Sequence, residues 1–91
     1  MSDKSKVYEG TFLLIYKKEV EGRKTPILEI INWDDINLGE IKWYPAWRKF
    51  CFYPNKDTIW DNKCLVELIN FLNKYNKEWR ENVKNIKKDI S

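Results

Sequence analysis

The stretch GEIKWYPAWRKFCFYP, residues 39–54, carries two tryptophans, two tyrosines and two phenylalanines, interleaved with Lys42, Arg48 and Lys49. Within it EIKWY (40–44) alternates apolar Ile41 and Trp43 with Glu40, Lys42 and Tyr44. A period of two with one apolar side is the pattern of a strand that buries one face. After Pro-Ala-Trp, the run RKFCFY (48–53) repeats it, setting Arg48, Phe50 and Phe52 against Lys49, Cys51 and Tyr53, and Pro54 ends it. Two such runs around a short turn make a hairpin, so the rest of the chain is read as the sheet that completes it.

Upstream, KVYEGTFLLIYKK (6–18) is rich in β-branched and aromatic residues and reads as one strand. Tyr8, Phe12, Leu14 and Tyr16 would share one face and Val7, Thr11, Leu13 and Ile15 the other, with Gly10 marking a bulge. The polar residues 1–5, MSDKS, are expected to be disordered. VEGRK (20–24) reads as a hairpin loop, and TPILEIINW (25–33) as a second strand with Pro26 at its start, where a missing N–H is tolerated. DDINLG (34–39) is a turn, since Asp and Asn bond nearby backbone and Gly39 accepts positive φ. Four strands joined by short loops predict an antiparallel meander across 6–54.

Downstream the period changes. Leu65, Leu68, Ile69, Leu72, Tyr75, Trp79, Val83 and Ile86 recur every three or four residues, the signature of an amphipathic helix over 61–88 with Asp61 as its N-cap. At 1.5 Å per residue such a helix is roughly 40 Å long, more than a four-stranded sheet covers, so its distal end is expected to protrude. The stripe Tyr75, Trp79, Val83 and Ile86 is then a candidate face for a partner or a second copy, which predicts a homodimer. The expected fold class is α+β. One domain, 1–91, holds a four-stranded antiparallel meander followed by a long C-terminal helix packed on one face.

Ninety-one residues leave room for one modest core. The formal net charge of +3 permits a nucleic-acid partner without demanding one. Histidine is absent, which removes the commonest general base and every Ser–His or Cys–His arrangement. Cys51 and Cys64 lack metal-ligand spacing, so no metal site is expected, and both read as reduced, structural thiols. Cys64, in the helix's first turn, is the one thiol with a route to a lowered pKa. Asp34 and Asp35, with Glu40 nearby, are ordinary turn-forming carboxylates, and three scattered glycines build no phosphate loop. We expect no catalytic residue, no cofactor, no membrane span or secretory signal, and a cytoplasmic location in a bacterial host cell.

Binding chemistry is better represented. Lys42, Tyr44, Trp47 and Arg48 combine stacking rings with cations opposite Ile41 and Trp43, the composition of a surface for single-stranded nucleic acid or for a protein partner. The residues Leu38, Gly39, Ile41, Lys42, Trp43, Tyr44, Trp47, Arg48, Phe52 and Pro54 form a pattern LG-x-IKWY-x-x-WR-x-x-x-F-x-P, followed by Cys64, Leu65, Ile69 and Phe71. Over 38–72 the chain thereby resembles a group of small phage and prophage proteins without assigned function. What the resemblance implies is a mobile-element protein acting inside a bacterium, where such proteins often bind stoichiometrically. The first expectation is a non-enzymatic binder that occludes a host protein surface, of which anti-defence, anti-CRISPR-like inhibitors are one kind. The second is an accessory protein that binds single-stranded nucleic acid.

Overall fold

The structure, a computed structural model, describes the backbone of residues 4–90 and the side chains of residues 4–82. Five strands follow one another, β1 (Lys4–Glu9), β2 (Leu13–Lys18), β3 (Ile27–Asn32), β4 (Asn37–Tyr44) and β5 (Lys49–Pro54), and then one helix, α1 (Asn62–Ile90). They form a single antiparallel sheet in the order β1-β2-β3-β4-β5. The α+β meander and terminal helix are as expected, but with five strands instead of four.

The extra strand comes from residues 6–18, which form a hairpin and not one strand. The Gly10 N–H donates to the Leu13 carbonyl at 2.8 Å and turns the chain back. A Cβ at Gly10 would collide with the Glu67 carboxylate and the Tyr8 ring, so any larger residue there would displace these two side chains. β1 begins at Lys4, inside the segment expected to be disordered, and residues 1–3 lie outside the described residues.

Registers Ile15↔Ile30, Leu28↔Ile41 and Ile41↔Phe52 align the apolar side chains of neighbouring strands on one face. Leu13, Ile15, Leu28, Ile30, Ile41 and Phe50 are sealed there under α1, with Leu38 and Leu68. Each side chain so buried is worth about 1.5–3 kcal/mol over leaving it in water. Rings complete the layer: Phe50 meets Trp43, Tyr75 and Trp79 edge to face, and Phe71 stacks on Tyr75. Large rings allow a short chain to bury enough surface.

The helix starts where the expected cap stands. Asp61 Oδ1 accepts from the Cys64 N–H at 2.8 Å, and the Asp61 carbonyl from the Leu65 N–H at 3.0 Å. Two polar side chains then fasten α1 to the sheet. Glu67 takes the Leu13 N–H at 2.8 Å and the Phe12 N–H at 3.2 Å. Nine residues on, about 13 Å along the axis, Asn76 accepts from the Phe50 N–H at 2.8 Å and donates back to its carbonyl at 3.1 Å. The helix therefore crosses obliquely, from the β1–β2 turn to the free edge of β5. Among the described residues its last apolar side chain on the sheet is Trp79. No described helix is long and apolar enough to cross a membrane.

Candidate binding surfaces

The sheet face turned away from α1 carries charges that neutralise one another. Glu29 is only 7% exposed, with Lys4 at 2.8 Å and Lys18 at 3.2 Å from its carboxylate oxygens. The hydrogen bond from Lys4, joined by Lys18, holds this carboxyl below the usual glutamate range against the opposing effect of burial. Lys18 also faces Glu40 at 3.8 Å, and Lys42 lies 3.9 Å from Glu40 and 4.6 Å over the Tyr53 ring. Lys42, expected to be a binding cation, is thus the end of a ladder running from Lys4 through Glu29, Lys18 and Glu40.

At the β4–β5 turn, Trp47 N–H donates to the Tyr44 carbonyl and Arg48 N–H to that of Pro45, closing two overlapping turns. The turn places the Tyr44 and Trp47 rings edge to face at 4.9 Å and leaves Trp47 66% exposed. Arg48 sits at φ 53°, a left-handed conformation that costs an L-residue with a Cβ about 1–2 kcal/mol. It stands in the turn just before β5 and, as the strand alternation sets it, lies not with Lys42 but on the side of Phe50, facing α1. There a groove of about 350 Å³ lies between the hairpin and the helix, walled by Trp43, Trp47 and Trp79 and carrying Arg48, Lys49 and Arg80. Of the four expected binding residues, Trp47 meets Tyr44 and shares the groove with Arg48, while Lys42 lies apart in the ladder with Glu40. Sequence reasoning missed Lys49 and Arg80, whose only signal is Arg80 following Trp79 on a helix turn shared with Asn76.

Of the expected partner stripe, Tyr75 and Trp79 pack on Phe50, while the side chains of Val83 and Ile86 lie outside the described residues. Cys64 is not an activated thiol. Burial and the Asp61 carboxylate that accepts its N–H push its pKa up, the reverse of the lowering that a helix N-terminus favours. Among the described residues no three His, Cys, Asp or Glu side chains gather as metal ligands would.

The opposite end of the molecule has a different character. The β1–β2 turn, the β3–β4 turn, the segment after β5 and the start of α1 all lie there, as a meander requires. Trp33 Nε1 donates to the Gly10 carbonyl at 3.2 Å, and Asn55 joins its amide to Asn37 at 3.0 Å. Eight large apolar side chains are exposed among the described residues, and six belong to this end: Trp33, Ile36, Ile59, Leu65, Val66 and Ile69. Ile59 is 92% exposed. Single exposed apolar residues are ordinary, but six at one end are more than a scattering, and the turns there also carry Asp34, Asp35, Lys56 and Asp57.

No family model matches the chain, and no solved structure matches it. A curated phage protein does: the uncharacterized 9.3 kDa protein of Acholeplasma phage L2 is 30% identical over 71 residues, 77% of this chain and 91% of that protein. The aligned span is about twice the length of the motif region 38–72, so the likeness extends well beyond the aromatic hairpin. The chain belongs to the family of small phage proteins that includes this relative.

Proposed function

We propose that the protein is a non-enzymatic binder that acts by occupying a surface of a host bacterial protein, as an anti-defence inhibitor of the anti-CRISPR kind would. The observation that carries this reading is the apolar end formed by Trp33, Ile36, Ile59, Leu65, Val66 and Ile69. Leaving these side chains in water forgoes stabilisation that burial against a partner would recover. Two supports come from chemistry and kinship. The chain has no histidine, and its better-placed thiol is held protonated. Its relative is a small phage protein.

The test is capture from host lysate by the immobilised protein, with I59D and V66D in parallel. Both positions are exposed, so both variants should fold. One saturable host protein retained by the parent and lost by both variants is expected, together with better plating of a phage carrying the parent gene on defended cells. Equal recovery by parent and variants, with no change in plating, would count decisively against it.

A further inference from the structure

The groove between the β4–β5 hairpin and α1 has a chemistry that neither the core nor the apolar end explains. Its cations, Arg48, Lys49 and Arg80, have no carboxylate within 4 Å among the described residues, and no acidic side chain lines the groove. Lys49 lies 5.9 Å over the Trp47 ring, so a cation already stands beside the exposed indole, whereas Lys4, Lys6, Lys18 and Lys42 on the sheet all have carboxylate partners. The walls are three indole rings. Trp79 also borders a second groove that carries Lys17, Glu19, Arg23 and Lys24; there Lys17 faces Glu19 at 3.6 Å, and Arg23 and Lys24 have no carboxylate within 4 Å among the described residues.

Arg48 supplies an independent sign. Among the described residues, three other than glycine have positive φ: Asp35, Arg48 and Asp57. Aspartate suits that region, because its short side chain bonds nearby backbone; arginine has no such compensation. An arginine is held where glycine would be more comfortable, and it lines the groove. Backbone strain of this kind points to a side chain needed for its chemistry.

We infer that this groove binds single-stranded nucleic acid, with a base stacked against the exposed Trp47 and flanking phosphates on Arg48, Lys49 and Arg80. Stacking requires an unpaired base, and guanidinium groups recognise phosphate oxygens through paired N–H donors. A volume of about 350 Å³ suits a single base and its sugar-phosphate, at the low end of ligand pockets, which run from about 300 to 1,000 Å³. The inference does not rest on the protein-binding reading, since the two surfaces lie at opposite ends of the sheet.

The experiment is a titration of tryptophan fluorescence with a twelve-nucleotide oligothymidylate, at about 50 and 200 mM salt. Arms with the matching duplex, with thymidine monophosphate and with inorganic phosphate identify what is recognised. Quenching should saturate with the oligonucleotide, and about three phosphate contacts at a slope of roughly −0.7 each should weaken binding about 20-fold between the two salts. R48G relieves the left-handed strain and should melt no lower than the parent, yet bind about tenfold or more weakly, as loss of a charged hydrogen bond implies. R80E should weaken binding further, whereas I59D should bind as the parent does. Flat titrations at low salt, a duplex bound as well as the single strand, a mononucleotide bound as tightly as the oligonucleotide, or undiminished binding by R48G would each overturn the inference.

Discussion

The amide of Asn76 does for β5 what a sixth strand would do. In an antiparallel ladder alternate residues exchange both bonds with the neighbour, and those between them point both groups outward. Phe50 is one of the outward residues, and Asn76 meets its N–H at 2.8 Å and its carbonyl at 3.1 Å. Pro54, four positions on, is another and has no N–H, so the free edge is left with only Phe52 unprotected. In N76A two neutral hydrogen bonds are lost, worth about 1 kcal/mol each net. Alanine's better helix propensity returns about 0.6 kcal/mol. The balance is a destabilisation of about 1.5 kcal/mol, or about 6–12 °C in Tm for a chain of this size. Urea and thermal melts by circular dichroism measure it, and sedimentation reports whether the freed edge begins to pair. N76D sharpens the test. Its carboxylate still accepts from Phe50 N–H but repels the carbonyl, so its folded pKa is raised above the unfolded value of about 3.9. The missing stability should return as pH falls through that raised value and be lost again as pH rises. An N76A midpoint matching that of the parent would refute this account of the edge.

Glu29 sets an acid limit. Its carboxyl is held low by Lys4 and Lys18, so its stabilisation is complete above the unfolded glutamate pKa of about 4.3 and is lost as pH falls through the depressed folded value. Urea melts at neutral pH and near pH 3 should show a steeper acid loss for the parent than for E29Q, and parallel curves would sink this assignment. Cys64 should react with a thiol reagent at neutral pH more slowly than a free cysteine, because burial and Asp61 hold it protonated. D61N keeps the cap and removes the charge, so it should speed the reaction; an already fast parent rate would contradict the raised pKa.

The contrast between the hairpin that was foreseen and the one that was not has a physical basis. Residues 40–53 and 62–79 carry their structure in local pattern: alternation for the strands, a three-and-four spacing for α1, and Asp61 as the cap that holds it. The turn at residues 10–12 has one local sign, Gly10, and an isolated glycine in a strand pattern reads as a bulge. Phe12 stands within it, and the apolar alternation runs through it. Its support comes from a distance, with Glu67 accepting from Phe12 and Leu13, and Trp33 donating to Gly10. Tertiary contacts more than twenty residues away override a strand propensity that the local residues share.

For the binding surfaces, residue type was legible and direction was not. Arg48 read as a strand residue because Arg-Lys-Phe-Cys-Phe-Tyr alternates; a left-handed turn position is ordinarily announced by glycine, and none is there. Lys42 read as a free cation because its neutralisation depends on Glu40 and on the ladder that Glu29 and Lys18 bring from two other strands. The stripe on α1 is affected by the same problem of direction. Trp79 meets both Trp43 and Phe50, and Tyr75 meets Phe50, so these rings already spend their apolar surface on the sheet. A second copy docking on the 75–86 stripe would compete with that packing at its first two positions. The exposed apolar surface free of such competition is at the other end, on Ile59, Val66 and their neighbours, while Arg48, Lys49 and Arg80 gather with Trp47 in the groove beside the β4–β5 hairpin. The two proposals place contact with other molecules at two chemically distinct ends, so variants at one should leave the other's binding intact.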